Sequence, residues 1–146
     1  MNNSKRPPTI TFLLIWISYM ILRGFLKLIN VEKIEQNKQI FGWFAIVNYW
    51  IDIAILIVFI IILFSFIKRR ANTWKYFIGL IIFLIIGTIV GQIIAFTHAD
   101  KIIALVGEDL PLSIFLISSV ISSIFLITFY VFIAIVTYRK RRYFNK

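Results

Sequence analysis

Four long apolar runs, separated by short polar segments, make up most of the chain. They extend over about 10–29, 45–67, 76–97 and 112–138. Each matches or exceeds the ~20 residues that a helix needs to cross the hydrocarbon of a bilayer. Backbone groups in lipid find partners only inside helices or closed barrels, and runs this long are helices. The pattern predicts an all-α fold, a transmembrane four-helix bundle forming a single membrane domain over 1–146. The fourth run is the longest and is expected to tilt or to project past the headgroups. Lys5 and Arg6 precede the first run as they would a signal peptide. That run is too long for one, contains Arg23 and lacks a small-x-small cleavage site, so it is expected to be a retained span.

Composition agrees. The chain is 61% hydrophobic and 15% charged, against about 45–50% and about 25% in soluble domains. A soluble fold must cover itself with polar atoms and could not hide this much apolar surface. The absence of cysteine excludes disulfides, thiolate metal sites and thiol redox chemistry, and with them the small quinone-linked thiol oxidoreductases of four-helix membrane type.

Charge adds a direction. Lys5 and Arg6, then Lys68, Arg69, Arg70 and Lys75, then Arg139, Lys140, Arg141, Arg142 and Lys146 give three segments with eleven basic side chains and no acidic one. The two intervening loops hold Glu32, Glu35, Asp100, Glu108 and Asp109 against Lys27, Lys33, Lys38 and Lys101. Basic residues accumulate on the cytoplasmic side, so four spans in the cell membrane with both termini cytoplasmic are expected. The net charge of +10 is absorbed by this pattern, and no nucleic-acid partner is expected, because no soluble basic face exists to carry one. The basic clusters are suited to anionic lipid headgroups, at about 1 kcal/mol per well-placed side chain, or to an acidic partner.

Aromatic residues mark the same boundaries, since a ring can lie in apolar tails while its polar atom stays wet. Phe41, Trp43, Phe44, Tyr49 and Trp50 cluster at the outer start of the second span. Trp74, Tyr76 and Phe77 open the third, and Tyr138, Tyr143 and Phe144 close the fourth. Residues 30–42 read as a polar outer loop. In residues 98–111, Ile102, Ile103, Leu105 and Val106 suggest one or two helical turns lying on the membrane surface.

Candidate chemistry lies within the spans. Arg23 and Asp52 both fall roughly 9–11 Å below the outer boundary at 1.5 Å per residue. A charge at mid-bilayer costs about 2.5–3.5 kcal/mol on insertion scales, and pairing the two would offset much of that. Tyr19, Arg23 and Lys27 share one stripe at four-residue spacing, as do Asn48 and Asp52. These stripes are expected to face each other, with Arg23–Asp52 either fixing the hairpin register or serving a ligand or proton site. Gly87 and Gly91 form a small-xxx-small pattern level with Ser122 and Ser118, which predicts a tight contact between the third and fourth spans. Gln92 and Thr88 add a polar edge, and with Arg23, Asp52 and the serines of the fourth span, Ser118, Ser119, Ser122 and Ser123, they are expected either to form a cluster opening outward or to hydrogen-bond to one another with no cavity. Arg23, Asp52, Gln92 and Asn48 therefore form the candidate intramembrane polar cluster, opening outward.

No enzyme is expected. His98 is the single histidine, and His98-x-Asp100 falls short of the three or four ligands of a metal site. No HExxH, GxSxG or phosphate-binding glycine loop occurs. The serines of the fourth run have no intramembrane base to activate them. Catalytic residues, cofactors and metals are accordingly all predicted absent. Below mid-membrane only Ser18, Ser65, Thr128 and Tyr130 are polar away from the ends, a poor lining for a transport route.

The two ends carry a resemblance. Lys5-Arg6-Pro7-Pro8-Thr9-Ile10 leads into the first span, and Tyr138-Arg139-Lys140-Arg141-Arg142-Tyr143-Phe144 closes the last. This resembles a group of small prokaryotic four-span membrane proteins with a basic-Pro amino end and a basic-aromatic tail. The resemblance implies the four-span layout and no mechanism. Members often have a glycine-rich first span, where this chain has Gly24 alone. The expected function is association, through helices, with a membrane partner or with itself. Alternatives are a small transporter or channel subunit using the polar cluster, and a protective protein of the bacteriocin-immunity kind.

Overall fold

The structure, a computed structural model, describes residues 7–106 and 111–144, without the side chains of Leu105 and Val106. Lys5, Arg6, Glu108, Asp109 and Lys146, which enter the charge pattern above, lie outside the described residues. Every regular element among the described residues is helical: α1 Pro8–Ile29, α2 Val31–Phe41, α3 Trp43–Ile67, α4 Thr73–Thr97, α5 Ala99–Val106 and α6 Leu112–Arg139, followed by a 3₁₀ turn Arg141–Phe144. The four apolar runs lie in α1, α3, α4 and α6, and each of these is long and apolar enough to cross a membrane. In the most apolar stretch of each, only 17% of residues are buried within the protein. Most of their Ile, Leu and Phe side chains face outward, a surface that suits lipid and not water.

Local chemistry sets the joints. Pro8 lies in the first turn of α1, where its missing N–H breaks no helical bond. Residues 30–42, read from the sequence as a loop, instead form α2. Val31, Ile34 and Phe41 recur at helical spacing, and the Asn30 side chain caps the helix by accepting from the Lys33 N–H at 3.1 Å. Gly42 joins α2 to α3 at φ 58°, ψ −133°, a region that side chains with a Cβ strongly avoid. Between α3 and α4 the chain reverses in a Schellman turn: the Arg70 N–H donates to the Ser65 carbonyl at 3.0 Å and the Arg69 N–H to Phe66 at 3.2 Å. The left-handed position of that turn, usually glycine, is Arg69 at φ 50°. Its guanidinium lies 4.6 Å from the Tyr143 ring centroid. Asn72, at φ 67°, is a residue type that tolerates this conformation.

The core occupies one end of the bundle. Trp16 of α1 makes edge-to-face contacts with Phe59 of α3 at 6.0 Å, Phe77 of α4 at 5.8 Å, and Phe129 and Tyr130 of α6 at 6.1 and 6.3 Å. Phe66 extends this layer to Phe77 at 5.1 Å and to Phe144 at 4.7 Å. Phe77 and Phe144, assigned from the sequence to the membrane boundary, are thus buried in the core, Phe144 by way of the 3₁₀ turn. Buried residues of the long helices are confined to the half nearest the basic turn and tail. Toward the other end the helices form two pairs, α1 with α3 and α4 with α6, whose mutual contacts are the most extensive in the fold.

Replacing Trp16 by Ala is expected to lower the unfolding free energy by about 3–5 kcal/mol, the range for a large buried aromatic. Replacing Trp43, 75% exposed, should change it by less than about 0.5 kcal/mol. Denaturant unfolding in a mild detergent compares them. Gly42→Ala is expected to fall between the two, at about 1–3 kcal/mol, from backbone strain.

Candidate functional site

Two contacts fix how α1 runs against α3. A Cβ on Gly24 would meet Leu56 Cδ1 at 3.3 Å, so the Leu56 side chain packs directly over this glycine. One turn toward the α2 end, Lys27 Nζ donates to Asp52 Oδ2 at 2.5 Å. The helices are antiparallel, so Arg23 lies level with the Leu56–Ile57 turn, about one turn deeper than Asp52. The carboxylate therefore pairs with Lys27, and the expected Arg23–Asp52 contact does not form. The sequence depths assumed that α1 and α3 end together. In the structure α3 continues about 10 Å beyond the end of α1 at 1.5 Å per residue, and α2 packs into that step against α3. Arg23 is exposed and has no ion-pair partner among the described residues.

Gln92 leaves the cluster in the opposite direction. Its Nε2 donates to Ser119 Oγ at 2.6 Å, and its Oε1 accepts from Ser123 Oγ at 2.6 Å. Both amide ends are satisfied between α4 and α6, where interhelical hydrogen bonds of this kind hold spans together. Thr88 donates to its own helix, to the Leu84 carbonyl at 2.9 Å. The third and fourth apolar runs do pack together as neighbours, but not through the expected residues. A Cβ at Gly87 or Gly91 would meet nothing within 4 Å, and Ser118 and Ser122 are exposed. Ser119 and Ser123, each one position further along and hence rotated by about 100°, face Gln92 instead.

Gly87 and Gly91 line a cavity of about 530 Å³ between α3 and α4. Its α3 wall carries Asn48 and Asp52, its α4 wall Ile86, Val90 and Ile94, and Tyr130 lies at its inner end. Asn37 and Phe41 of α2 border the other end, where Phe41 packs edge-on against His98 at 5.3 Å. His98 Nδ1 lies 2.9 Å from Thr97 Oγ1 and 3.1 Å from the Ile94 carbonyl, so the ring caps the end of α4. A second, shallow hollow of about 30 Å³ lies beyond α3 and is lined by Lys27, Lys33 and Tyr49. It shares Asn37, Asn48 and Asp52 with the first.

Of the predicted cluster, the structure brings together Asn48 and Asp52 on one cavity wall, adds Lys27, and separates Arg23 and Gln92. Lys33 and Asn37 were missed because their segment reads as a loop. The helical spacing of Val31, Ile34 and Phe41 was the available signal. No protein-family model matches this chain, and neither curated proteins nor solved structures yield a match.

In a double-mutant cycle on unfolding in detergent, Lys27→Ala and Asp52→Ala are expected to couple by about 0.5–1 kcal/mol, as for a pair that is partly solvated. Arg23→Ala and Asp52→Ala should be additive within about 0.5 kcal/mol.

Proposed function

We propose that this chain is a non-enzymatic multi-pass protein of the cell membrane, with both termini cytoplasmic, that works by associating with another membrane component. The observation that carries this reading is the uneven packing of the bundle. One half is closed around Trp16, while in the other α3 and α4 stand apart and leave a polar stripe, Asn48 and Asp52, facing an apolar cleft. Polar groups at membrane depth are costly unless something satisfies them, so a protein built this way is suited to receive a partner there. The clustering of Lys68, Arg69, Arg70, Lys75 and Arg139–Arg142 at the closed end supports its cytoplasmic placement.

A transporter is the second reading. It is favoured by a cavity that carries Asn48 and Asp52 on its α3 wall and is closed at its inner end by the aromatic core around Trp16. Solute flux in liposomes that survives unchanged in Asp52→Asn would remove that cavity from any transport route.

The chain has no cysteine, so single introduced cysteines report cleanly. A membrane-impermeant maleimide on intact cells is expected to label Gln36→Cys and to spare Arg142→Cys until the cells are opened. Labelling of Arg142→Cys in sealed cells would reverse the proposed orientation. In isolated membranes, Gly91→Cys is expected to cross-link to a membrane component, and Ile121→Cys, on the exposed face of α6, is not. Equal cross-linking at both positions would remove the cleft from the association.

A further inference from the structure

Arg23 carries a charge that nothing else in the fold answers. It is exposed, and among the described residues it forms no ion pair and stacks on no ring. Ile57, at its level on α3, lies about ten residues from the Ile67 end of that helix, or about 15 Å. That is half of a hydrocarbon layer about 30 Å thick. A guanidinium at mid-membrane is costly unless it faces the bundle interior and meets water or an opposite charge.

Trp16 shows which way Arg23 faces. Seven residues after it, Arg23 lies two turns, about 11 Å, toward the open end of the bundle and within about 20° of the Trp16 direction. Trp16 meets Phe129 of α6 at 6.1 Å. α6 runs antiparallel to α1, so Ser122, seven residues before Phe129, lies two turns toward the same end and within about 20° of the Phe129 direction. Arg23 and Ser122 are therefore at one level on the two sides of the α1–α6 seam. Ser122 is exposed, and its hydroxyl differs from those around it. Ser118, Ser119, Thr128 and Thr137 donate to carbonyls of their own helix and Ser123 donates to Gln92, whereas Ser122 makes no side-chain hydrogen bond among the described residues.

The seam selects an ion over a helix. Helices of a bundle cross at about 20°, so two turns beyond the Trp16–Phe129 contact the axes have separated by only about 4 Å more. A helix with its side chains needs about 10–12 Å. The guanidinium supplies a positive charge with several N–H donors, and the hydroxyl supplies one donor more. Together they complement a small anion and oppose a cation. Lys27, one turn further toward the open end, is engaged by Asp52, so the unanswered charge is that of Arg23.

We propose that Arg23 and Ser122 form a site for one small monovalent anion, of the size of chloride or formate, in the α1–α6 seam beyond Trp16. Neither residue lines the α3–α4 cavity, so the site goes beyond the association proposed above and is tested apart from it.

The test follows thermal unfolding of the full chain in an uncharged detergent, at fixed ionic strength, as chloride replaces gluconate, an anion too large for the seam. A ligand held by the folded form alone raises Tm progressively with its concentration. The wild-type chain is expected to melt several degrees higher in chloride than in gluconate, and formate is expected to act as chloride does. Arg23→Gln should abolish the difference. Ser122→Ala should raise the chloride concentration that gives half the effect several-fold, as for the loss of one hydrogen bond to a charged group. Arg70→Gln, at the closed end, should leave the effect unchanged. Equal melting of the wild type in the two salts, or a difference that persists in Arg23→Gln, would overturn the site. If Arg23→Gln does not fold, Ser122→Ala decides alone, and an unchanged chloride dependence there overturns the proposal.

Discussion

The Trp16 indole holds the bundle together. Helices in lipid gain little from burying one another's apolar faces, because the tails they displace are equally apolar, and their association rests on close packing and hydrogen bonds. An indole that meets the edges or faces of Phe59, Phe77, Phe129 and Tyr130 brings α1 into contact with all three other long helices. Each such aromatic pair contributes about 0.5–1.5 kcal/mol beyond its area, so this one side chain joins four helices with roughly 2–6 kcal/mol, which reaches only the lower end of a domain's net stability. No comparable hub exists among the described residues of the other half, and the two helix pairs are free to stand apart there. The cavity is thus a consequence of where the aromatic residues lie.

The depth of each polar group follows from a smaller constraint, the close approach at Gly24. Because Leu56 packs onto that glycine, the register of α1 against α3 is set, and Lys27 rather than Arg23 meets Asp52. The same register makes α3 overshoot α1, and the step is filled by α2. Its Asn37 and Lys33 then reach the polar wall that α3 already carries. A Cβ at 24 would need the end of the Leu56 side chain to give by only a few tenths of an ångström, so the Lys27–Asp52 pair shares with this contact the setting of the register.

The sequence made the four long helices legible because length and apolarity alone specify them. It did not make their faces legible. α4 and α6 are apolar all round, so no periodic stripe shows which side meets a neighbour, and small residues became the default guide. That guide located the right pair of helices and missed the contact by one residue: Ser119 and Ser123 face Gln92, whereas Ser118 and Ser122 point outward. Asn48 and Asp52 were legible as a stripe because two polar residues four apart in an apolar helix need no register to be grouped. Arg23 and Gln92 depended on register and rotation, and neither can be counted from span boundaries when one helix overshoots the other. Phe144 was hidden for a different reason. An aromatic residue beside a basic tail fits the membrane interface equally well, and only the 3₁₀ turn after Arg139 carries it back to Phe66.

That turn links the charge pattern to the core. Arg69 lies over Tyr143 and Arg141 over Tyr138, at 4.6 and 4.1 Å from the ring centroids, geometry in which a cation is attracted to the ring face. Tyr143 packs edge-on against Phe144 at 5.3 Å, and Phe144 is buried beneath Phe66. Arg69 thus acts as a fastener that pins the tail across the α3–α4 turn, while Arg141 holds the 3₁₀ turn against the end of α6. Arg69 also occupies a left-handed backbone position that disfavours a side chain, and its stacking on Tyr143 offsets part of that strain. Basic residues at this end are constrained from two directions, by their charge toward the headgroups and by their stacking toward the core. Neutralising Arg69 therefore differs from neutralising Arg70, which stacks on no ring among the described residues: the first loosens the closed end of the bundle, and the second removes only charge.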